Sequence, residues 1–456
     1  MTKSHQSKEL ILLLWNIVLV LADTLIFRFM WFRVYSLRLS IPFVLKGHIA
    51  VSLVFAVIYA AFAKIYGGFE TKTTRASLLA YSHVIASVMT GVVVYVILWL
   101  MIRFRPPVTP MVGVVLLCTA AAVLWCKPAV NICAKLYPPA KTLIIYDNKA
   151  AFRKGEKIAV QNPRRFHVVG KIEGTEGLDV VIDEINKKNV EAVMLCGMHS
   201  SDRNDVIKYC IENDILAYIR PNIGDYLLSS AKNMQMTSLP VLLCQRAKPS
   251  PLYAFAKRVF DIFFALVFLI VTSPILLITA ACIHFYDNGP VLYSQIRLTK
   301  DGREFRIYKF RSMRQDAEKN SGARLASAND DRITPVGKFI RATRIDELPQ
   351  MINILIGDMS VVGPRPERPE LAKVYEETMP EFSLRLQVKA GLTGYAQVNG
   401  KYNTSPYDKL QMDLLYISRQ SIVTDLMICM ETVKVVFMKE STEGIGEDET
   451  NAEEHE

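Results

Sequence analysis

Residues 257–286 read KRVFDIFFALVFLIVTSPILLITAACIHFY. The apolar run from Val259 to Tyr286 exceeds the ~20 residues that a helix needs to cross a bilayer. Ser273-Pro274 stands at its middle. Proline removes a backbone donor and its ring presses on the preceding turn. A serine beside it can help bend the helix and satisfy the groups set free. Two readings follow. A helix that spans sends the rest of the chain across the membrane. One that breaks at Ser273-Pro274 and re-enters keeps both flanks on one side.

Four more apolar segments precede it: Leu10 to Phe29, Ile49 to Ala63, Leu78 to Ile102 and Pro110 to Cys126. The second is short and the fourth is interrupted by Lys127, but each approaches the length of a membrane span. Arg and Lys fall on both sides of them, so positive charge orients the bundle only weakly. Four spans place the N-terminus and the segment after them on the same face. Asp23 lies inside the first segment, where a charge is either functional or turned toward a neighbouring helix or helix end. The start, MTKSHQSKELILLLW, shows no small-residue cleavage site and reads as a first membrane helix.

Composition agrees with membrane helices joined to soluble domains. Hydrophobic residues make up 51% and charged residues 21% of the 456 residues, and the mean hydropathy is +0.21. This excludes a largely disordered chain, a collagen-like repeat and a small disulfide scaffold. The net charge of +10 conceals an acidic tail, because residues 441–456 hold seven Asp or Glu and no Lys or Arg. Without them the body is more basic still, which suits an anionic partner such as lipid headgroups or phosphates. The tail reads as a disordered solvating segment. The eight cysteines include no C-x-x-C and several lie in apolar runs, as expected of buried reduced thiols.

Between 138 and 245 the pattern changes. Thr142–Tyr146, Phe166–Gly170, Val190–Cys196 and Ile215–Ile219 read as strands, and Leu178–Lys188 and Asp202–Asn213 as helices between them. Such alternation predicts a small parallel, Rossmann-like α/β module. The turn after its first strand, YDNKAAFRKG, lacks the G-x-G-x-x-G that cradles a dinucleotide, which favours a structural or regulatory module.

Four elements after the fifth apolar run carry chemistry. KFRSMR, Lys309–Arg314, sets three cations in six positions, including Arg311. RATRIDELPQMINILIGD, 341–358, places Asp346-Glu347 just ahead of Pro349 and an apolar helical spacing. A helix start favours carboxylates and phosphates alike, and Arg341 and Arg344 flank the pair. A bare Asp-Glu would be an ordinary helix start; the arginines make phosphate chemistry more plausible. GDMSVVGPRPERPE, 357–370, holds Arg365 between Pro364 and Pro366, which pre-organises a guanidinium for phosphate oxygens. VKAGLTGYAQVNG, 388–400, is a Gly-rich loop, and Asp408 and Asp413 follow on a helix, where an exposed face is the plain expectation. Nucleic acid is a poor partner, because the cations follow a membrane segment and no recognised nucleic-acid module is present.

KRVFDIFFALV…SPI, KFRSMR, RITPVGKFIRATRIDELPQMINILIGDMSVVGPRPE and AGLTGYAQVNG together resemble the bacterial sugar transferase family of polyprenyl-phosphate hexose-1-phosphate transferases. The resemblance covers residues 255–437, and the upstream architecture is similar to that of its large members. It implies transfer of a sugar 1-phosphate from a UDP-sugar to undecaprenyl phosphate with release of UMP, as the first membrane step of capsule, O-antigen or exopolysaccharide synthesis. By motif, Asp346 would be the nucleophile and would form an aspartyl-phosphosugar, and Glu347 would hold Mg²⁺ or orient the pair. The metal expectation is therefore Mg²⁺ at Asp346 and Glu347. Lys309, Arg311, Arg341 and Arg365 would bind phosphate or nucleotide, and Lys257-Arg258 would meet the polyprenyl phosphate at headgroup level. Ser273-Pro274 matches the family's membrane-helix break, which favours re-entry and a catalytic domain on the cytoplasmic face of the bacterial inner membrane. Leu392 and Tyr395, where many relatives have Ile and Trp, and Ala390, where they often carry Pro, are mild departures, and no residue selects the sugar.

The expected architecture is a multi-domain membrane protein. It has a four-helix transmembrane domain over 1–137, a Rossmann-like module over 138–245, an α+β catalytic domain with a re-entrant helix over 246–440, and the acidic tail over 441–456. The helical region could support a homodimer. Two other classes compete: a membrane-anchored regulatory or scaffolding protein with an inactive C-terminal domain, and a glycosyltransferase that moves the sugar without its phosphate and releases UDP.

Overall fold

Long apolar stretches dominate the first unit. The computed structural model describes residues 3–39, 41–72, 74–102, 104–236, 239–314, 332–400 and 404–436; the expected acidic tail lies outside them. The described chain divides after Pro221 into two compact units. In the first, helices run over Lys3–Met30, Leu45–Ile65, Ala76–Met101 and Thr109–Leu136. Each is long and apolar enough to cross a membrane, and Pro251–Asp287 is a fifth. The second helix is longer than its apolar run suggested. The fourth passes through Lys127-Pro128, because one exposed cation near a span's end is tolerated by snorkelling. Asp23 is fully buried and turned to its neighbours, with Cys118 Sγ near its carbonyl.

The same unit carries a four-stranded parallel sheet in the order Phe166–Glu173, Ala140–Tyr146, Ala192–Cys196, Leu216–Arg220. The two central strands are buried along nearly their whole length, as parallel strands covered on both faces must be. Helix Lys149–Gln161 occupies the stretch expected to be a turn. Its buried stripe is made of the small residues Ala151, Gly155 and Ala159, a weak signal among charged neighbours, and Asn148 caps the helix by accepting from Ala151 N at 2.8 Å. Gly155 lets it lie close to the sheet: a Cβ there would stand 2.8 Å from Cys196 Sγ.

The second unit starts at Asn222, ahead of the boundary expected near 245, and Ile223 belongs to its core. That core gathers Phe305 and Ile307 from strand Glu304–Phe310, Met351 and Ile354 from helix Gln350–Ile356, Val361 and Val362 from strand Met359–Val362, and Leu410 and Leu414 from helix Pro406–Ser418. Glu304–Phe310 pairs antiparallel with Leu292–Leu298, and Met359–Val362 pairs parallel with Ala390–Thr393. All eight cysteines are free; five are buried, and Cys244 and Cys282 are exposed.

Pro251–Asp287 spans 37 residues, about 55 Å at 1.5 Å per residue. Ala265 is in the core, whereas Ile270, Val271, Leu277, Ile278 and Phe285 are exposed, an apolar surface that suits lipid. The segment stays helical through Ser273-Pro274. Pro274 has no N–H for the Ile270 carbonyl four residues back. Ser273 Oγ donates to that same carbonyl at 2.8 Å and so replaces the missing bond. In detergent, Ser273→Ala should lower unfolding stability by about 1 kcal/mol. In a Pro274→Ala background, where an amide returns, it should be near neutral. Equal effects in both backgrounds would show that the hydroxyl does not serve this carbonyl.

Candidate functional site

Strand Glu304–Phe310 turns Phe305 and Ile307 into the core, and its period of two sets Lys309 on the same face. Asn353, fully buried on helix Gln350–Ile356, grips that strand's backbone. Its Nδ2 donates to the Arg306 carbonyl at 2.7 Å, and its Oδ1 accepts from Tyr308 N at 3.0 Å. This fixes the register between Lys309 and the residues just before the helix. Those are Asp346 and Glu347, held in a single 3-10 turn, Ile345–Glu347, ahead of Pro349. The pair thus forms its own turn beside the helix start.

Glu347 Oε1 accepts from Lys309 Nζ at 3.1 Å and from Arg365 Nη2 at 3.0 Å. The Lys309 and Arg365 charges hold its carboxyl well below the usual carboxylate range against the opposing effect of burial. Burial also pulls the Lys309 ammonium down. Asp346 differs: its Oδ1 is buried with no hydrogen-bond partner. Burial first, and then the Glu347 charge, push its carboxyl up, while Lys309, Arg341 and Arg344 pull the other way.

Arg365 is aimed by its backbone. Four successive carbonyls are each held: Pro364 by Gly391 N at 2.9 Å, Arg365 by Arg385 Nη2 at 3.0 Å, Pro366 by Arg297 Nη1 at 3.2 Å and Glu367 by Leu298 N at 3.0 Å. Gly363 and Gly391 allow this contact, because a Cβ on Gly391 would lie 2.1 Å from Gly363 N. Buried Arg385 also pairs with Asp413 at 2.7 Å and Glu367 at 3.6 Å. Asp413 therefore belongs to the interior and not to the exposed face expected of it; burial lifts its carboxyl to about 6 despite Arg385. Asp408 lies at its helix N-terminus, where it accepts from Ser405 Oγ at 2.8 Å.

The structure thus gathers Lys309, Asp346, Glu347 and Arg365, with the Arg341 charge acting on Asp346. The other cations singled out in the sequence have protein partners. Lys257 pairs with buried Asp425 at 2.9 Å. Arg258 donates to the Ile354 and Leu355 carbonyls at 2.7 and 2.8 Å, closing the C-terminus of helix Gln350–Ile356. Arg311 pairs with Asp287. Asn353 and Arg385 escaped the sequence reading, since a partner that is a backbone carbonyl leaves no mark in a motif.

A family model described as bacterial sugar transferase matches residues 252–439. An exopolysaccharide production protein of Rhizobium leguminosarum bv. phaseoli is 41% identical over 200 residues, which are 42% of this chain and 97% of that protein. The chain belongs to the bacterial sugar transferase family. A UDP-N-acetylgalactosamine-undecaprenyl-phosphate N-acetylgalactosaminephosphotransferase of Aeromonas hydrophila is 43% identical over 192 residues, 41% of this chain. The match spans about half that protein's length, 45%. An undecaprenyl-phosphate glucose phosphotransferase of Komagataeibacter xylinus is 29% identical over 381 residues, 77% of this chain and 70% of that protein. Every residue of the cluster falls inside the segment matched by the family model. With its five long apolar helices and bacterial relatives, this member of the family is a membrane protein of bacterial type.

Glu347→Gln should lower stability by about 2 kcal/mol near neutral pH, because Lys309 loses its charged partner. A carboxyl depressed in the folded state contributes stability that is complete above its unfolded value of about 4.3 and is lost as pH falls below it. The gap in thermal midpoint between wild type and Glu347→Gln should therefore close as pH drops below about 4. A gap constant with pH would contradict the charged clamp.

Proposed function

We propose that this chain moves a hexose 1-phosphate from a UDP-sugar to undecaprenyl phosphate and releases UMP, starting a bacterial surface or secreted polysaccharide. The observation that carries this reading is the division of labour in the carboxylate pair: Glu347 is clamped by Lys309 and Arg365, while Asp346 keeps a buried oxygen without a hydrogen-bond partner. The names of the relatives support the donor and acceptor. Asp346 Oδ1 attacks the sugar-linked phosphorus, the bond to the uridylyl phosphate breaks, and UMP leaves with the electron pair. An oxygen of undecaprenyl phosphate then attacks the aspartyl-phosphosugar, which gives the sugar diphospholipid and restores the carboxylate. Lys309, Arg341 and Arg365 surround the reacting phosphate with positive charge.

Magnesium fits this donor set in a limited way. Among the described residues no group of three or more His, Cys, Asp or Glu comes together. Mg²⁺ commonly binds through one or two carboxylates and completes its shell with substrate phosphates and water. Asp346 and Glu347 would hold it, and bound there it would neutralise diphosphate charge. Lys257 and Arg258 would meet the acceptor phosphate only by exchanging Asp425 and the helix carbonyls. We place the active domain, 246–440, on the cytoplasmic face of the inner membrane, with Pro251–Asp287 re-entering at Ser273-Pro274. A four-helix transmembrane domain over 1–137, a structural or regulatory Rossmann-like module over 138–245 and homodimerisation complete the proposal.

The full chain with Mg²⁺, undecaprenyl phosphate and a panel of UDP-glucose, UDP-galactose and UDP-N-acetylgalactosamine should release UMP from at least one donor. Asp346→Asn should reduce this by at least about 10³-fold, and chelation should abolish it. Release of UDP would establish plain sugar transfer instead. The raised Asp346 carboxyl should set the acid limb of the rate above the ordinary aspartate value of about 3.9, because the protonated form is no nucleophile. Arg341→Gln removes a charge that lowers this value and should move the limb further up. A limb that moves down would remove Asp346 from that role.

A further inference from the structure

Five residues other than glycine have positive φ among the described residues: Asn189, Asp214, Asn288, Asp301 and Arg344. Four are Asn or Asp, which tolerate the left-handed region through their short polar side chains. Arg344 does not share that excuse. Its φ of 58° and ψ of 16° follow the end of helix Pro335–Ala342, where Thr343 N bonds the Phe339 carbonyl at 3.1 Å and Arg344 N the Arg341 carbonyl at 3.2 Å. This is the helix-stop position that glycine fills at least cost. The backbone there calls for glycine, and the chain carries an exposed guanidinium.

Its place explains the choice. Arg344 directly precedes the Ile345–Glu347 turn, and its carbonyl accepts from Glu347 N at 3.2 Å. Lys309 and Arg365 are both bonded to Glu347 Oε1. Arg344, just before that turn, is exposed, and its charge acts on both carboxylates.

We infer that Arg344 is a substrate-binding residue whose guanidinium takes phosphate oxygens of an incoming substrate, and that the strained backbone is retained to present it. The planar fork of arginine suits that task. This rests on the phosphosugar-transfer reading above and adds a contact to it. The oxygens belong either to the donor diphosphate or to the acceptor phosphate.

The test uses the full chain in detergent, with Arg344→Gly and Arg344→Asn as neutral variants that tolerate the left-handed region, and Arg344→Lys as the charge-retaining one. A residue that only ends a helix gives a glycine variant with unchanged kinetics. The inference expects the glycine variant to melt no lower than wild type while kcat/KM falls about 10- to 100-fold. Asn should match Gly, and Lys should recover part of the loss. A rise confined to KM for the UDP-sugar assigns the donor diphosphate; a rise confined to KM for undecaprenyl phosphate assigns the acceptor. Unchanged constants in both neutral variants overturn the inference. Should wild type release no nucleotide from any donor, the transfer reading fails by itself. Calorimetric titration with UDP and with undecaprenyl phosphate then decides about Arg344: weaker binding of either in Arg344→Gly sustains it, and equal binding of both overturns it.

Discussion

The second unit depends on the polar side chains in the first turns of an apolar helix. Within Pro251–Asp287, Lys257 reaches buried Asp425, Arg258 closes the helix that follows the carboxylate pair, and Asp261 accepts from Ser360 Oγ and Val361 N at 3.0 Å each. Tyr416 and Tyr253 add hydroxyl bonds to Asp425 at 2.8 and 3.0 Å. Groups buried this deeply are costly unless their partners are all in place. The apolar helix is thereby joined to strand Met359–Val362, which runs directly into Gly363-Pro364-Arg365. One residue, Asp261, bonds both the side chain and the backbone of that strand.

From there the constraint passes to the site by backbone contacts. The Pro364–Glu367 turn has no regular secondary structure of its own, yet its carbonyls are all engaged. Proline supplies fixed φ, glycine supplies close approach, and the buried Arg385 and half-buried Arg297 guanidinia supply donors where strands offer none. What remains adjustable in that turn is the side chain of Arg365, which extends to Glu347. The clamp leaves the two carboxylates in unlike surroundings although they are neighbours in the chain.

The long helices and the strand–helix alternation were legible because apolar runs and periodicity decide them. Helix Lys149–Gln161 was not, since its exposed face is rich in Lys and Arg and its buried face is small residues. Lys309, Asp346, Glu347 and Arg365 were legible as a group because their local strings are distinctive and resemble a family. The partners of Lys257, Arg258 and Asp413 were not: charge on a sequence says nothing about whether a counter-ion arrives from a hundred residues away. Arg344 stood in plain view beside the pair, but only a backbone angle distinguishes it from any other surface arginine.

The serine hydroxyl on the Ile270 carbonyl has a mechanical consequence. An amide bond in a helix is oriented by the chain on both sides, so bending the axis there strains or breaks it. A hydroxyl hangs on its own rotatable bond and can follow the carbonyl as the axis turns. At Ser273-Pro274 the direction of the helix is thus uncoupled from the solvation of its backbone. The angle at that point can be set by lipid on one side and by the anchored first turns on the other, and no bare carbonyl is exposed to hydrocarbon as it changes.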